Sequence, residues 1–450
     1  MQHIQGISRH QLQMSSLEDK ITADNPVRFI DAFVNHIDAV KIGFQPKILK
    51  TEGRPNFRLE VFLKLYLYGY LNGVRSSRRL EKECFRNIEV QWLLEAIHPN
   101  YHSISDFRKD NPKALKQLFK LFVLFLKDAE LIAGDTIAID GTKSRAHNSK
   151  KANYNQKKID KHKAYIDAKS QEYLDQLEQN DIQENPVVIK NIQQKIEGLK
   201  QNKIKYELLE EELKNSGEPQ ISTTDADARA LLVQGQVVEV SYNIQAAVDS
   251  KHNLVVATHT INRNDKNALA AIALEVKENL ALETFTVLVD KGYHNGRELH
   301  TCKQNNITTI VAVPEQGKSN ENGTQPEYLV SKFIYNKENN SYTCPEGKTL
   351  TTTGSWHKKT GRTEESGYNF QKYRTPACKT CLVKGLCTSR NGGREIDRSQ
   401  YADAVEENHQ RYKDNPQLYR KRQEINEHIF GTIKRKWGYN YTDLVGLEKV

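Results

Sequence analysis

The chain has 450 residues, of which 37% are hydrophobic, and its 66 lysines and arginines exceed its 57 acidic residues to give a net charge of +9. This length corresponds to roughly three domains of about 150 residues each. No apolar run reaches the roughly 18 residues of a membrane span, and residues 1–11 lack the basic and then apolar order of a signal peptide. We therefore expect a soluble protein of the cell interior that has no membrane partner and favours a polyanionic one.

The first 130 residues have helical periodicity. Apolar residues at spacings of three and four predict a helix over 59–71; shorter helices follow, and Pro112 opens a longer apolar helix through Leu126. Arginines lie around the short helices, at Arg78, Arg79 and Arg108. This arrangement is typical of a helix-turn-helix DNA reader, although an ordinary helical bundle with a solvated basic face has the same pattern.

A short strand and a basic segment follow. Residues 135–141 read as a strand that ends at Asp140 and a turn at Gly141. From Lys143 to Lys163 there are eight basic residues and one acidic residue, so the surplus charge is clustered. Apolar spacing then continues over 155–215 with a break at Asn185-Pro186, which predicts an inserted antiparallel helical hairpin.

Strand and helix patterns alternate from Val237 to Val313. Three early strands followed by helix, strand, helix and strand is the order of a ribonuclease H-like mixed sheet, and no glycine-rich turn supports a doubly wound fold. We predict an α/β protein with a helical N-terminal DNA-binding domain over 1–130 and a ribonuclease H-like catalytic domain over 131–450. Two insertions interrupt the second domain, a basic hairpin at 143–216 and a polar, cysteine-containing segment at 315–410.

Acidic residues lie where two of the predicted strands end. Asp140 and Asp290 are each followed within two residues by glycine, and such carboxylates at adjacent strand ends suit Mg²⁺ or Mn²⁺. Two such ions can activate the attacking oxygen of a phosphodiester and stabilise the leaving one. A third carboxylate is expected from the helical segment 419–437, which contains Glu424 and Glu427.

Three segments together resemble the motifs of bacterial insertion-sequence DDE transposases. They are Ile139-Asp140-Gly141-Thr142-Lys143, Val289-Asp290-Lys291-Gly292-Tyr293 and Glu427-His428-Ile429-Phe430-Gly431-Thr432-Ile433-Lys434. Residues 54–126 also resemble the InsH-type N-terminal domain of that family. The resemblance implies that Asp140, Asp290 and Glu427 are the catalytic carboxylates and the ligands of Mg²⁺ or Mn²⁺; Glu424 lacks the surrounding motif.

The resemblance extends to the residues around the glutamate. A tyrosine and an arginine precede it and a lysine follows it in the family, and Tyr419, Arg422 and Lys434 hold those places as expected DNA contacts. Lys434 would lie two helical turns beyond Glu427 on the same face. Ile429 replaces the usual proline. Relatives also generally continue with a further helical segment, so we expect this sequence to be one segment short.

The implied activity is cleavage at the ends of an insertion sequence and strand transfer into target DNA. The expected partners are double-stranded DNA, as terminal inverted repeats and target, and a second copy of the chain on that DNA, in the bacterial cytoplasm at the nucleoid. Two other classes remain open. One is an inactive or truncated transposase that only binds DNA, and the other is a ribonuclease H-like nuclease that cuts without joining.

Six cysteines are present, and four of them fall within a short stretch near the C-terminus: Cys344, Cys378, Cys381 and Cys387. A Cys-x2-Cys pair with two further cysteines suits structural Zn²⁺, whereas reduced thiols in a β-rich insertion are the alternative. Cys84 and Cys302 lie in apolar helical patterns and are expected in the core. Asp249 and Asp265 are interpreted as turn residues or as supports of the metal ligands.

Overall fold

The computed structural model describes residues 8, 10–12, 14–45, 56–147, 150–181, 186–233, 237–314, 324–361 and 367–450. The chain divides into two compact units. The helical unit comprises Met1–Leu126, Arg145–Ala228 and Ile433–Val450, and the sheet unit comprises Lys127–Ser144 and Arg229–Thr432. No helix in the described ranges has both the length and the apolar character needed to cross a membrane.

Helices lie over 59–71, from Pro112 and within 155–215, where the sequence pattern predicts them, and further helices lie elsewhere in the described residues. Their bounds are α1 (Pro26–His36), α2 (Leu59–Leu71), α3 (Ser77–Arg86), α4 (Ile88–Leu93), α5 (Tyr101–Asp110), α6 (Pro112–Asp128), α7 (Gln156–Asp181), α8 (Pro186–Ser216), α9 (Leu269–Asn279), α10 (Gly296–Gln304), α11 (Lys384–Cys387), α12 (Ala402–Asp414) and α13 (Pro416–Gly431). The helix predicted over 59–71 is confirmed as α2. Helix α5 begins at Tyr101 because the Asn100 side chain accepts a hydrogen bond from the Ser103 backbone N–H.

The strands form two six-stranded sheets and one short pair within the described residues. Their bounds are β1 (Thr136–Arg145), β2 (Asn153–Tyr154), β3 (Ile221–Ser222), β4 (Arg229–Val233), β5 (Val237–Asp249), β6 (Val255–Ile261), β7 (Phe285–Val289), β8 (Ile307–Val311), β9 (Ile334–Asn336), β10 (Ser341–Thr343), β11 (Thr349–Thr351), β12 (Trp356–Lys359), β13 (Tyr368–Arg374) and β14 (Glu395–Ser399).

The larger sheet has the order β4-β5-β1-β7-β8, and β6 also pairs with β5. Strands β1, β7 and β8 are parallel to one another, whereas β4 and β6 are antiparallel to β5. The predicted α/β, ribonuclease H-like order is therefore confirmed in a mixed sheet. Helix α13 packs on β5 and β7, and a buried cluster that includes Ala138, Leu288 and Ile425 joins the helix to the sheet.

The prediction that the first strand ends at Asp140 and a glycine turn is wrong. Strand β1 continues through Gly141 to Arg145. Gly141 has an extended conformation inside the strand, and its lack of a side chain leaves room for polar groups from β5. A glycine in a strand marks such a close approach as readily as a turn.

Helices α7 and α8 form the predicted antiparallel hairpin inside the helical unit. The start of α7 lies beside the end of α8, since Lys163 Nζ is 2.9 Å from Glu210 Oε2. Ile159, Leu209 and Leu213 form a buried cluster at this end of the hairpin. Asn185, at the predicted break, lies outside the described residues.

Residues 438–442 belong to the helical unit, although about 200 or more residues of sequence separate them from its other segments. The Arg145 backbone N–H donates to the Asn440 carbonyl at 3.1 Å, and the Thr442 N–H donates to the Arg145 carbonyl at 2.8 Å. The Arg75 guanidinium lies over the rings of Tyr439 and Tyr441, at 4.1 and 4.8 Å from the ring centres. These contacts hold the segment against the N-terminal helices.

The smaller sheet, β9 to β14, lies within the predicted cysteine-containing insertion. Its order is β12-β13-β11-β10-β9, with β14 paired to β13. Phe333, Tyr342, Leu350, Tyr373 and Ile396 form its core. The beginning of the predicted insertion, 315–323, lies outside the described residues.

Candidate active site

Asp140 and Asp290 lie on neighbouring parallel strands. The pairing of β1 with β7 sets Thr136 opposite Thr286 and Ala138 opposite Leu288. The same register, continued by two residues, brings Asp140 alongside Asp290. Asp290 directly follows β7, and its carboxylate accepts a hydrogen bond from the Lys291 N–H at 2.7 Å. The chain thus brings together the two aspartates that the sequence selects.

The surroundings of Asp140 disfavour its negative charge. Burial raises the pKa of Asp140 above its ordinary value, and the charges of Asp265 and Asp290 raise it further. A hydrogen bond from the Gly141 N–H, at 2.8 Å, and the Arg422 guanidinium act in the opposite direction. Because carboxylates repel one another where water is scarce, this end of the sheet is a place where a bound cation would be stabilised.

Helix α13 contributes Arg422 to this region. Arg422 Nη1 lies 3.7 Å from Asp140 Oδ2, and only 13% of the arginine side chain is exposed. One turn later, Asn426 is 1% exposed, and neither its amide nitrogen nor its amide oxygen has a hydrogen-bond partner in the part of the chain that the structure describes. The face of α13 that includes Arg422, Ile425 and Asn426 is therefore directed into the sheet unit.

Glu427 does not lie on this inward face. It is exposed, as is Glu424 one turn earlier. Among the described residues, no group of three or more histidine, cysteine, aspartate or glutamate side chains is arranged to hold a metal ion. The structure thus supplies two carboxylates whose oxygen chemistry fits a divalent cation. The role of Glu427 as the third ligand stays a prediction.

Asp265 is the centre of a polar network beside Asp140. Its Oδ1 accepts hydrogen bonds from Asn243 Nδ2 at 2.7 Å and from Gln245 Nε2 at 2.9 Å. Its Oδ2 lies 3.2 Å from Lys143 Nζ. Burial alone raises the pKa of Asp265, but these donors and the lysine charge outweigh it, so the pKa is below its ordinary value. Asp265 is held as a carboxylate.

Tyr293 closes the network from the Asp290 side. Its hydroxyl donates to the Gln245 side-chain oxygen, and its ring is buried. Burial raises the pKa of Tyr293 well above its ordinary value, and the charges of Asp265, Asp140 and Asp290 act in the same direction. The phenol therefore remains a neutral donor that links the β5 network to the segment after Asp290.

The polar network explains why residue 141 is a glycine. A Cβ atom there would lie 2.6 Å from Asp265 Oδ1 and 2.8 Å from Asn243 Oδ1. These distances are shorter than van der Waals contact. A side chain at residue 141 would therefore displace either the polar network or strand β1. Gly141 is a packing requirement of the site.

Sequence reasoning gave Asp265 too little weight and missed Asn243, Gln245 and Tyr293. A signal was present, because Asn243 and Gln245 alternate along a strand that is otherwise rich in apolar residues, and both are fully buried. Polar residues on one face of a buried strand need partners. Asp249 fits the predicted turn role, since it accepts hydrogen bonds from the Gly134 and Lys251 N–H groups.

The other residues expected around the glutamate have different surroundings. Tyr419 is half-buried and packs edge-on against Tyr412, with ring centres 4.9 Å apart. Helix α13 ends at Gly431, and Thr432–Lys436 is π-helical. The prediction that Lys434 continues the same α-helical face two turns after Glu427 is therefore wrong. Its contact with DNA stays a prediction.

The basic residues expected at the N-terminal DNA reader lie on α3 and α5. Arg79 and Arg78 are exposed, and the Arg78 guanidinium lies 4.7 Å from the centre of the Tyr101 ring. Arg108 is partly buried over Tyr70 at 5.8 Å. Their positions leave two of the three arginines accessible to a phosphate backbone.

The cysteines lie in two kinds of surroundings. Cys84 and Cys302 are buried, as expected of core residues. Cys344, Cys378, Cys381 and Cys387 are partly buried, are not joined in disulfides, and line one small cavity beside the smaller sheet.

Two family models match the chain. The first, described as "Transposase domain (DUF772)", covers residues 15–110, and the second, described as "Transposase DDE domain", covers residues 343–450. No curated protein and no solved structure matches the chain. Both matched segments are described as transposase domains, and together they support an insertion-sequence DDE transposase.

Proposed function

We propose that the protein cleaves DNA at the ends of an insertion sequence and joins the freed ends to target DNA, with Asp140, Asp290 and Glu427 as the catalytic carboxylates. The observation that carries the proposal is the parallel register of β1 and β7, which brings Asp140 on β1 near Asp290 just after β7. Burial first, and then the charges of Asp265 and Asp290, raise the pKa of Asp140, so a bound cation would be favoured there.

Asp140 and Asp290 would hold Mg²⁺ or Mn²⁺, with Glu427 as the proposed third ligand. Bound divalent cations supply activation of the attacking oxygen and stabilisation of the leaving oxygen in phosphodiester chemistry. The contribution of the chain is to fix the carboxylates. Asp265, Asn243 and Gln245 hold the strand around Gly141, and Asp290 is oriented by the Lys291 N–H.

DNA would be bound through phosphate contacts from basic side chains. Arg78 and Arg79 supply exposed positive charge on the helical unit, and Arg422 supplies charge beside Asp140. Arg108, Tyr419 and Lys434 are proposed as further contacts. Because phosphate binding releases counterions, affinity should fall steeply as salt increases. Two copies of the chain, one at each inverted repeat, are the proposed assembly.

The deciding experiment is a strand-transfer assay with the inverted repeats that flank the coding sequence, in Mg²⁺ or Mn²⁺. We expect cleaved ends and joined products from the wild type. Asp140→Asn, Asp290→Asn and Glu427→Gln should each lower cleavage by about 100-fold or more, since even indirect supports of metal ligands are worth about 10- to 100-fold. Glu424→Gln, on the same helix and equally exposed, is the matched control and should stay active.

Each outcome has a distinct meaning. Cleavage that survives all three substitutions would rule out the carboxylate assignment. Cleavage without joined products would favour a nuclease of this fold. Binding to the repeats without cleavage in any divalent metal would favour a transposase-derived protein that only binds DNA.

A further inference from the structure

The smaller sheet carries a feature that transposition chemistry does not use. Cys344, Cys378, Cys381 and Cys387 come from three separate elements and line one cavity of about 30 Å³. Cys344 follows β10, Cys378 lies within the short 3-10 turn Pro376–Thr380, Cys381 directly follows that turn, and Cys387 ends α11. Four thiols from a 44-residue segment thus meet at one cavity. Packing alone does not require reduced cysteines to meet in this way.

The turn after Cys344 is built around its sulfur. The Lys348 N–H donates to Cys344 Sγ at 3.2 Å, and the Gly347 N–H donates to the Cys344 carbonyl at 2.9 Å. Gly347 has a φ of +70°, a conformation that glycine adopts without strain. A backbone N–H directed at sulfur is most favourable when the sulfur is a thiolate, because the bond is then charge-assisted.

The turn near Cys378 is equally specific. Gly393, with a φ of +95°, packs directly against the Cys378 side chain, and a Cβ on Gly393 would lie 3.4 Å from Cys378 Sγ. Cys387 lines the same cavity as the other three thiols. Arg394 lies on the same side, donating to the Cys387 carbonyl at 3.3 Å.

We propose that Cys344, Cys378, Cys381 and Cys387 bind one structural Zn²⁺. Four thiolates are the donor set that Zn²⁺ takes in closed tetrahedral sites, with sulfur about 2.3 Å from the metal. The described side chains do not yet surround a single point at metal-ligand geometry. Rotation about the Cα–Cβ bond of a cysteine moves its sulfur between staggered positions while the backbone stays fixed, so the proposal requires the four thiols to turn toward the ion when it binds.

The ion would stabilise the smaller sheet. Strands β9, β10 and β11 have three residues each, and among the described residues the core cluster of the sheet has five buried side chains, with a few partly buried ones packed against it. Small β-structures with so little apolar burial commonly depend on a metal or on disulfides. The described cysteines form no disulfides. Zinc would join β10, the 3-10 turn and α11 into one element.

The test is metal content of the full-length protein, purified under reducing conditions without chelator. We expect about one zinc per chain, as a closed tetrathiolate site holds one ion. Cys378→Ser and Cys381→Ser should each lose most of that zinc. Cys302→Ala, a buried cysteine of α10 outside the cavity, is the matched control and should retain it.

A second measurement keeps the proposal testable if a serine variant fails to fold. Wild-type protein stripped of metal and supplied with Co²⁺ should develop the thiolate-to-cobalt charge-transfer band and the intense visible bands of a tetrahedral thiolate site. Wild-type protein with a small fraction of one zinc per chain and no such band would overturn the proposal. Full zinc retention by both serine variants would overturn it as well. Neither measurement depends on DNA cleavage.

Discussion

Arg422 forms an ion pair with Asp140 across the interface of α13 and the larger sheet, with Nη1 3.7 Å from Oδ2. A fixed positive charge beside a proposed metal ligand opposes a second cation there and attracts a DNA phosphate. Arg422→Gln should therefore lower the Mg²⁺ concentration needed for half-maximal cleavage while lowering the maximal rate. Arg422→Lys, which keeps the charge, should show a smaller change in metal requirement. A Mg²⁺ titration of all three proteins checks this, and an unchanged requirement in Arg422→Gln would contradict it.

Gly141 should be among the least replaceable residues of the sheet unit. A methyl group at this position would lie 2.6 Å from Asp265 Oδ1, so Gly141→Ala should cost about 1–3 kcal/mol of unfolding free energy by overpacking, and should abolish cleavage. Gly292→Ala is the matched control next to Asp290, because its nearest neighbours would be 3.8 Å away. Denaturant unfolding of the two variants gives the comparison. Equal unfolding free energies for the two variants would show that the polar network can rearrange without loss of stability.

Asn426 offers a substitution that should stabilise the protein. Its amide is fully buried with no hydrogen-bond partner among the described residues, a state that costs about 1–3 kcal/mol. Asn426→Leu, which keeps the number and branching of the side-chain heavy atoms, should raise the unfolding free energy by an amount in that range. If cleavage is lost while stability rises, the amide contacts DNA or a metal-bound water; a fall in stability would show that it has a structural partner.

Glu298 should make stability depend on pH in a defined direction. Burial raises the pKa of Glu298 above 4.5, although its carboxylate accepts a hydrogen bond from the Ala270 N–H at 2.9 Å. The folded state therefore holds the proton more tightly than the unfolded state, and stability falls as pH rises from 4.5 through the folded-state pKa. Glu298→Gln cannot ionise, so it should not show this loss of stability as pH rises.

Thermal unfolding of wild type and Glu298→Gln across pH 4 to 8 measures the effect. The Tm of the variant should exceed that of the wild type at neutral pH, and the difference should shrink as pH falls toward 4.5. A constant difference over the whole range would contradict the assignment of a raised pKa.

Arg79 and Arg75 should separate DNA binding from folding. Arg79 is exposed, so Arg79→Ala should weaken binding to the inverted repeats and reduce the slope of log affinity against log salt by about one. Arg75 is held by Tyr439, Tyr441 and the Gly438 carbonyl, so Arg75→Ala should chiefly lower the Tm. Salt-dependent binding isotherms and melting curves distinguish them; an unchanged salt slope in Arg79→Ala would exclude that residue as a phosphate contact.

Local periodicity was sufficient to predict several elements of this fold. Helix α2, the α7–α8 hairpin and the strand order of the larger sheet follow from apolar spacing, because each buries one face along a regular repeat. The sequence also indicated that Asp140 and Asp290 would be neighbours, since parallel strands end at the same edge.

Other features depend on partners that are distant in sequence. Strand β1 continues past Gly141 because Asn243, Gln245 and Asp265 fill the space beside it, and nothing near residue 141 reveals them. The change from α- to π-helix at Thr432 has no strong local signal such as a proline. The importance of Asp265 likewise appears only once β5 lies beside β1 and brings its two amides to that carboxylate.

The pairing of Arg145 with Asn440 and Thr442 bears on how the protein is made. The helical unit contains the first residues of the chain, yet its packing is completed by a segment about 300 residues later, counted from Arg145, and non-local contacts of this kind form slowly. During synthesis, the sheet unit emerges in full before residues 438–442 leave the ribosome. A nascent chain that already contains Asp140 and Asp290 therefore still lacks a complete helical unit. The time needed for translation would thus delay DNA binding by that unit.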